Sequence, residues 1–335
     1  MSNLIAVTIG DIKGIGIQLL IQLWSKNKSK KFVLFCNISL FKKYIKKHKI
    51  NLKLNIVNRK YKTILYKNNY FNIYSYVAKN NAENTYRSIL FGFKECKKKN
   101  FIGILTLPLR KDLIIKNINR NFVGHTELFE KLDNKISTNM ILYHKDIIIS
   151  VVTTHVKLKS VSAILKKKNF LYNKIYDLNL ILKKDFNISK PQILISGLNP
   201  HAGENGELGN EENEIIKPII KKIKRKKINI TGPSSADSML INKNLKKFDC
   251  FVFIYHDQGL IPFKYISQFT GVNYTGNLEI IRTSPDHGTA YNLVGKKNVS
   301  NNSLINSFKL INKISINRKK YDKSKKITKS KFSKR

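Results

Sequence analysis

Cys250-Phe251-Val252-Phe253-Ile254-Tyr255-His256-Asp257-Gln258-Gly259 is an apolar run that stops at a histidine and an aspartate, with a glycine close behind to turn the backbone. An uninterrupted apolar run of this length reads as a strand buried on both faces, the kind found in parallel α/β sheets. Such sheets deliver functional side chains at the carboxyl ends of their strands. Downstream, Lys264, Asn273 and Arg282 follow at equal spacings of nine, and then Asp286-His287-Gly288-Thr289. A cation, an amide and a second cation near a His-Asp strand end suit a small anionic substrate beside a metal or a proton-transfer group.

Working outward, the same pattern recurs. Ile147 to Thr153 is an apolar strand running into Thr154-His155. Ile193 to Ser196 is another, running into Gly197-Leu198-Asn199-Pro200-His201-Ala202-Gly203-Glu204. Three of the chain's seven histidines thus follow strands. Three imidazoles with one open position are the donor set of a catalytic divalent metal; taken singly, each also fits a plain structural role. Both readings remain open on spacing alone.

Toward the N-terminus, Leu4 to Thr8 reads as a first strand, Gly10-Asp11-Ile12-Lys13-Gly14-Ile15-Gly16 as a turn, and Ile17 to Trp24 as the start of a helix. A phosphate or carboxylate could sit against such a helix start, but the spacing is not that of the dinucleotide fingerprint, and a tight structural connection is the simpler reading. Lys31 to Asn37 reads as a strand and Ser39 to Lys47 as a basic helix, while Asn51 to Tyr76 offers little to place. Asn84 or Thr85 is the candidate cap of a helix to about Lys98, followed by a strand over Phe101 to Thr106. Gly124-His125-Thr126-Glu127 opens a further helix, with Thr126 either its cap or, with His125, a substrate group. The acids Glu211, Glu212 and Glu214 fall in the first turn of a helix from Asn210 to Ile223, where the helix dipole favours them. Asp237 is an N-cap or a residue that orients a metal ligand. Alternating strands and helices predict an α/β protein with a mainly parallel sheet.

Composition narrows the function classes. With 335 residues and 42% hydrophobic content the chain can bury a large core, in two domains or one large one. No apolar run reaches the length of a membrane span, and Met1-Ser2-Asn3-Leu4 has no basic segment ahead of a signal-like core, which points to a cytoplasmic protein. Cys36, Cys96 and Cys250 are odd in number and far apart, so they form neither a disulfide framework nor a cysteine zinc site. The net charge of +42 is spread along the chain with abundant Asn and Ile, as codon bias toward A and T produces. Removing the basic stretch from Lys313 to Arg335 leaves most of the excess. Without a nucleic-acid-binding motif, the charge alone does not make nucleic acid a partner.

In order along the chain, Thr8-Ile9-Gly10-Asp11 with Gly14-Ile15-Gly16, Gly124-His125-Thr126-Glu127, Thr153-Thr154-His155, Leu198 to Glu204, Gly232-Pro233 with Ala236-Asp237, Tyr255 to Leu260, and Ile281-Arg282-Thr283-Ser284 with Asp286 to Ala290 match the motifs of one family. Across residues 4 to 296 the sequence resembles 4-hydroxythreonine-4-phosphate dehydrogenase, an enzyme of pyridoxal 5′-phosphate synthesis. The match is imperfect at Gly10-Asp11-Ile12-Lys13, Ile17-Gln18, Leu107, Gly276 to Glu279 and Pro285, none of which removes a metal or substrate group.

The resemblance implies a two-domain α/β/α subunit of the isocitrate and isopropylmalate dehydrogenase type, paired as a homodimer with active sites at the interface. It implies a divalent metal (Zn, Mg or Co) on His155, His201 and His256, one of them supplied across the dimer. It places substrate contacts on His125, Thr126, Lys264, Asn273 and Arg282. Asp237 and Asp257 are candidates for catalysis or orientation, and Asp286 and His287 for contact with the cofactor, NAD or NADP. The implied reaction is oxidation of 4-phosphooxy-L-threonine with loss of CO2, giving 3-amino-2-oxopropyl phosphate. A related metal-dependent decarboxylating dehydrogenase acting on another phosphorylated hydroxy acid is the alternative, and a basic nucleic-acid-binding protein the more distant one. Expected domains are residues 1–125 with 290–312, residues 126–289 carrying the metal and substrate groups, and a disordered basic tail over 313–335.

Overall fold

The computed structural model describes residues 3–28, 30–57 and 66–332. Two compact units emerge, one built from the chain up to Lys135 with Leu278–Asn312, the other from Ile136–Asn277 with the chain from Lys313.

In chain order the first unit contains β1 (Ile5–Thr8), α1 (Ile15–Lys26), β2 (Phe32–Cys36), α2 (Ile38–Lys47), β3 (Leu54–Val57), β4 (Phe71–Ser75), α3 (Asn81–Lys97), β5 (Gly103–Thr106), α4 (Lys111–Asn117) and α5 (His125–Leu132). The second contains β6 (Asn139–His144), β7 (Ile147–Val151), α6 (Val161–Leu165), α7 (Phe170–Lys184), β8 (Gln192–Ser196), α8 (Lys217–Lys224), β9 (Asn229–Ser234), α9 (Asn242–Lys247), β10 (Cys250–Phe253), α10 (His256–Ser267) and β11 (Val272–Gly276). The chain closes with β12 (Arg282–Pro285) and α11 (Asn302–Phe332).

Strands of the first unit lie in the order β3-β4-β2-β1-β5-β12, every pair parallel. β1, β2, β4 and β5 are buried throughout; in β1, β2 and β5 this follows from their apolar runs between covering helices, and in β4 the buried Asn72 is satisfied by hydrogen bonds to Lys67 and Tyr70. Strands of the second unit lie in the order β11-β6-β7-β10-β8-β9. There β11, β6 and β7 pair antiparallel, and β7, β10, β8 and β9 pair parallel. Each unit has its own core, one around Val33, Phe35, Ile89, Ile104 and Phe129, the other around Leu142, Val151, Phe251, Phe253 and Phe263.

The α/β class expected from the sequence is the one found, with several local corrections. Helix α3 is capped by Asn80, whose side chain accepts from Glu83 N at 2.9 Å, rather than by Asn84 or Thr85. Asn84 instead accepts from Asn37 N (2.7 Å) and Tyr76 OH (3.0 Å) inside the unit, so its amide is engaged by tertiary partners. Helix α5 and strand β12 belong to the first unit, whereas the boundaries expected from the sequence put residues 126–289 in the second; fully buried Phe129 anchors α5 in the first core. Within the stretch Asn51 to Tyr76 two strands form, and residues 58–65 lie outside the described residues.

The basic C-terminal stretch, expected to be disordered, is helical through Phe332; residues 333–335 lie outside the described residues. Its first turns carry Ile314, fully buried, and Arg318, whose Nε and Nη2 donate to the Asp185 carboxylate at 2.6 and 3.3 Å. Tyr274 OH donates to the same carboxylate, and Asn317 Nδ2 donates to Asp185 O at 2.8 Å. Low complexity conceals this because the partner lies far back in the sequence. Breaking a buried ion pair from one side strands the other charge, which costs on the order of 3 kcal/mol. Arg318→Leu should lower unfolding stability by about that amount, read from the midpoint of urea denaturation; an unchanged midpoint would remove the pair from the account of the fold.

Candidate functional site

In the second unit β10 pairs in parallel with β7 on one side and β8 on the other, through Phe253↔Val151 and Val252↔Ile195. Parallel neighbours end at the same sheet edge, so the segments after all three strands, carrying His155, His201 and His256, leave from one side. Beyond the strands Val152 N and Thr153 N donate to Phe253 O (2.8 Å) and Ile254 O (3.1 Å), prolonging the pairing toward the histidines. The imidazoles of His155 and His256 lie with ring centres 5.8 Å apart, tilted by 43°. His256 Nδ1 donates to the Asp257 carboxylate at 2.9 Å, which leaves its Nε2 for another partner.

Gln258, which sequence reasoning passed over, ties two strand ends together. Its Oε1 accepts from Ile254 N (2.9 Å) and Ser196 Oγ (3.0 Å), and its Nε2 donates to Gly197 O (3.0 Å). Its adjacency to His256-Asp257 was the available signal.

His201 sits on an unusual backbone. His201, Ala202, Gly203, Glu204 and Asn205 all have positive φ (50°, 54°, 81°, 41° and 59°), forming one left-handed turn. Each L-residue held this way costs roughly 1–2 kcal/mol, with glycine exempt and asparagine partly so. Strain of this kind persists only where neighbours enforce it. Beside the start of this turn lies Glu212, only 1% exposed. Its Oε1 accepts from Leu198 N (2.7 Å) and Asn199 N (2.9 Å), and its Oε2 from Asn199 Nδ2 (2.9 Å). The simple dipole reading of the acids therefore fails for Glu212, which faces the interior from a π-helical turn, Glu212–Ile216.

The remaining sequence candidates of this unit are separate features. Lys264 lies on the last turn of α10 with Nζ 5.0 Å over the Phe269 ring. Asn273 is on β11, and its buried Oδ1 has no hydrogen-bond partner among the described residues. Asp237 is exposed inside a short 3-10 turn whose cap position is Ser235, so it caps no helix.

In the first unit Arg282 is almost fully buried at the start of β12, opposite Ile104 of β5. Its Nε and Nη2 both donate to Thr106 Oγ1 (3.0 and 2.7 Å), and its guanidinium carbon lies 5.8 Å over the Phe129 ring. Burial lowers its pKa to about 10, with Glu127 pulling the other way, so it stays charged at neutral pH. His125 opens α5, and its buried Nε2 has no partner among the described residues. Burial first, then Arg282 and Lys111, hold its pKa well below 6.5. Thr126 is half-buried in the first turn; Gly124 occupies the cap position, so Thr126 is not the cap. Thr106 was not singled out from the sequence, since a threonine ending a strand carries no signal of its own.

His287 likewise buries an Nε2 without a partner among the described residues, and its pKa is lowered by burial. Asp286 N donates to Ser303 Oγ at 2.8 Å. Nearby, Gly14 N donates to Asp11 O (2.9 Å) and Ile15 N to Thr289 O (2.8 Å). Those N–H groups at the start of α1 are already engaged, which favours the structural reading of the glycine turn. Gly10 is obligatory there: at φ +60° an added Cβ would meet Pro108 O at 2.4 Å.

Two imidazoles bound to one ion at about 2 Å per metal–nitrogen bond place their ring centres about 5–6 Å apart. The pair His155 and His256 fits that spacing, and Asp257 supplies the carboxylate that fixes such a ligand. Among the described residues no three His, Cys, Asp or Glu side chains of the single chain gather to hold an ion. The chain brings together two of the three sequence-predicted ligands.

The family model for "Pyridoxal phosphate biosynthetic protein PdxA" matches residues 28–311. The chain belongs to the PdxA family. Among its relatives, 4-hydroxythreonine-4-phosphate dehydrogenase of Sulfurihydrogenibium sp. (strain YO3AOP1) is 32% identical over 314 residues, covering 91% of this chain and 96% of that one. The enzyme of that name from Wigglesworthia glossinidia brevipalpis is 33% identical over 310 residues, covering 90% and 93%. A crystal structure of 4-hydroxythreonine-4-phosphate dehydrogenase from Klebsiella pneumoniae aligns with a TM-score of 0.81 at 26% identity, covering 94% of this chain and 98% of that one. Among the described residues of this PdxA family member, the buried side-chain atoms without a hydrogen-bond partner include three on sequence-predicted ligand residues, His125 Nε2, Asn273 Oδ1 and His287 Nε2, alongside others such as Thr8 Oγ1, Ser137 Oγ and Ser267 Oγ.

A histidine whose folded pKa is depressed binds fewer protons than its unfolded counterpart below pH 6.5, so stability should fall as pH drops through that value. Thermal unfolding of wild type and His125→Gln from pH 7.5 downward checks this: the variant should lose less of its melting temperature, and equal losses would mean His125 is not held neutral.

Proposed function

We propose that this PdxA family member catalyses NAD-dependent oxidation of 4-phosphooxy-L-threonine at its secondary alcohol, followed by decarboxylation to 3-amino-2-oxopropyl phosphate, in vitamin B6 synthesis in the cytoplasm. The observation that carries the reading is chemical. Buried polar groups in native proteins are almost always paired, yet His125 Nε2 and Asn273 Oδ1 are buried without partners among the described residues, both on residues that the family motifs and spacing assign to substrate. A phosphorylated amino acid offers donors and acceptors suited to both.

In this mechanism Arg282, desolvated and held by Thr106, neutralises an anionic group of the substrate, and Lys264 neutralises another. His125, kept neutral, exchanges a hydrogen bond with the substrate without adding a third positive charge. Asn273 orients the substrate through its amide. Asp257 holds the His256 ring in one tautomer. A divalent ion, held by His155 and His256 with His201 as the third ligand, would supply Lewis acidity toward the substrate hydroxyl. The alcohol loses its proton to solvent or a nearby base and its hydride to the nicotinamide. The resulting β-keto acid loses CO2, and a proton returns to the carbon left behind. His287 and Asp286 are the proposed cofactor contacts. A homodimer, with one ligand of each ion supplied by the partner copy, would complete a set that one chain leaves at two.

The direct test is NADH absorbance from purified protein given 4-phosphooxy-L-threonine and NAD, with chelator and with divalent metal restored. Metal-dependent NADH formation is expected; its absence in folded dimer supplied with Zn, Mg or Co would remove this substrate. Losing one charge-assisted hydrogen bond costs roughly 1.5–3 kcal/mol, so Lys264→Ala should reduce kcat/KM about 10- to 100-fold with the melting temperature unchanged. Kinetics equal to wild type would take Lys264 out of substrate binding.

A further inference from the structure

We propose that Glu212 is a positioning residue for His201: its buried carboxylate keeps the left-handed turn in the form that presents that imidazole. The inference rests on the reading of His201 as a metal ligand and assigns a role to a residue outside the ligand set.

Burying a carboxylate is unfavourable unless donors converge on it. Three do, and all come from the start of the His201 loop: Leu198 N, Asn199 N and Asn199 Nδ2. The loop's later part closes on the same groups. A Cβ at Gly203 would meet Glu212 Oε2 at 2.5 Å, and one at Gly209 would meet Asn199 Nδ2 at 2.4 Å. Gly197, before the loop, would place a Cβ 2.8 Å from Glu212 Oε1. One carboxylate and the amide it holds therefore lie in contact with the loop before, within and after its left-handed residues.

That turn is intrinsically unfavourable at Ala202 and Glu204, and its own hydrogen bonds are long: Ala202 N to Asn199 O at 3.2 Å, Glu207 N to Glu204 O at 3.3 Å and Leu208 N to Gly203 O at 3.2 Å. Without the carboxylate, Leu198 N and Asn199 N lose their acceptor and the turn relaxes toward ordinary right-handed conformations. His201, which is exposed, moves with the backbone. Glu211 reinforces the arrangement by accepting from Asn199 Nδ2 at 2.8 Å.

The test is a double-mutant cycle on the full-length protein, reading Co2+ or Zn2+ affinity by competition with a chromophoric chelator. Glu212→Gln, His201→Ala and the double variant are compared with wild type. Amide hydrogen exchange over residues 198–209 and thermal unfolding are measured on each. Orienting partners of metal ligands typically contribute about 10- to 100-fold in affinity. Glu212→Gln should weaken metal binding by that range, speed exchange in the loop, and add nothing further in the His201→Ala background. Wild-type affinity in folded Glu212→Gln, or effects that simply multiply in the double variant, would overturn the positioning role while leaving His201 as a ligand. Unchanged affinity in His201→Ala itself would remove the ligand reading and this proposal with it. If Glu212→Gln does not fold, Asn199→Ala deletes the bridging amide while both backbone donors to the carboxylate remain, and the same cycle with His201→Ala decides the question.

Discussion

Parallel pairing of β10 with β7 and β8 is the constraint on which the second unit's chemistry depends. Three short, largely apolar runs are stable only side by side inside a covered sheet, and once they pair in parallel their exits share an edge. Histidines separated by tens of residues in the chain then leave from that edge with no further instruction. What remains is local: how each exit is shaped. Asp257 and Gln258 shape the one after β10, the hydrogen bonds of Val152 and Thr153 the one after β7, and Glu212 the one after β8.

Acids are scarce in this chain, 21 against 63 lysines and arginines, and their placement is informative. Asp11, Glu95, Asp133, Asp185 and Glu212 are all buried. Each gathers several donors: Asp133 takes Lys97 and the Glu279 amide, Glu95 takes Lys98 and Asn100, Asp11 takes Tyr291 and the Lys13 amide. A surface rich in lysine contributes little specificity, since exposed pairs are weak. Buried carboxylates with several donors fix geometry instead. At Arg282, a buried cation, the guanidinium donates to a threonine hydroxyl and lies over an aromatic face, with the Glu127 carboxylate acting on it as well. The excess positive charge thus says little about partners, while a few negative groups organise the interior.

What the sequence revealed follows from the range of each interaction. Strands β1, β5, β7, β8 and β10 were legible because full burial writes itself as an unbroken apolar run. The ligand candidates were legible because each follows such a run or stands in a family motif. Strand β6 was missed: its partner β7 was visible, but Asn139 and His144 blur its edges. Asn84 looked like a cap because asparagine prefers caps, yet tertiary partners claimed its amide. The helical C-terminal stretch was illegible because what orders it, Asp185, stands elsewhere in the chain. Glu212 was misread for a related reason: a carboxylate in a first helical turn has a sufficient local explanation, and only folded geometry shows it turned inward.

The Leu198–Glu212 segment has a bearing on how such a chain can change over time. Loops ordinarily absorb insertions and deletions with little penalty, because closure entropy grows slowly with length. Here one side chain, set on the helix that follows, fixes the first residues of the loop, and Asn199 and Gly209 are packed against each other. Adding or removing a residue between them would shift Gly209 off a position against Asn199 where there is no room for a side chain. Substitutions can accumulate on the loop's exposed positions, but its length is locked.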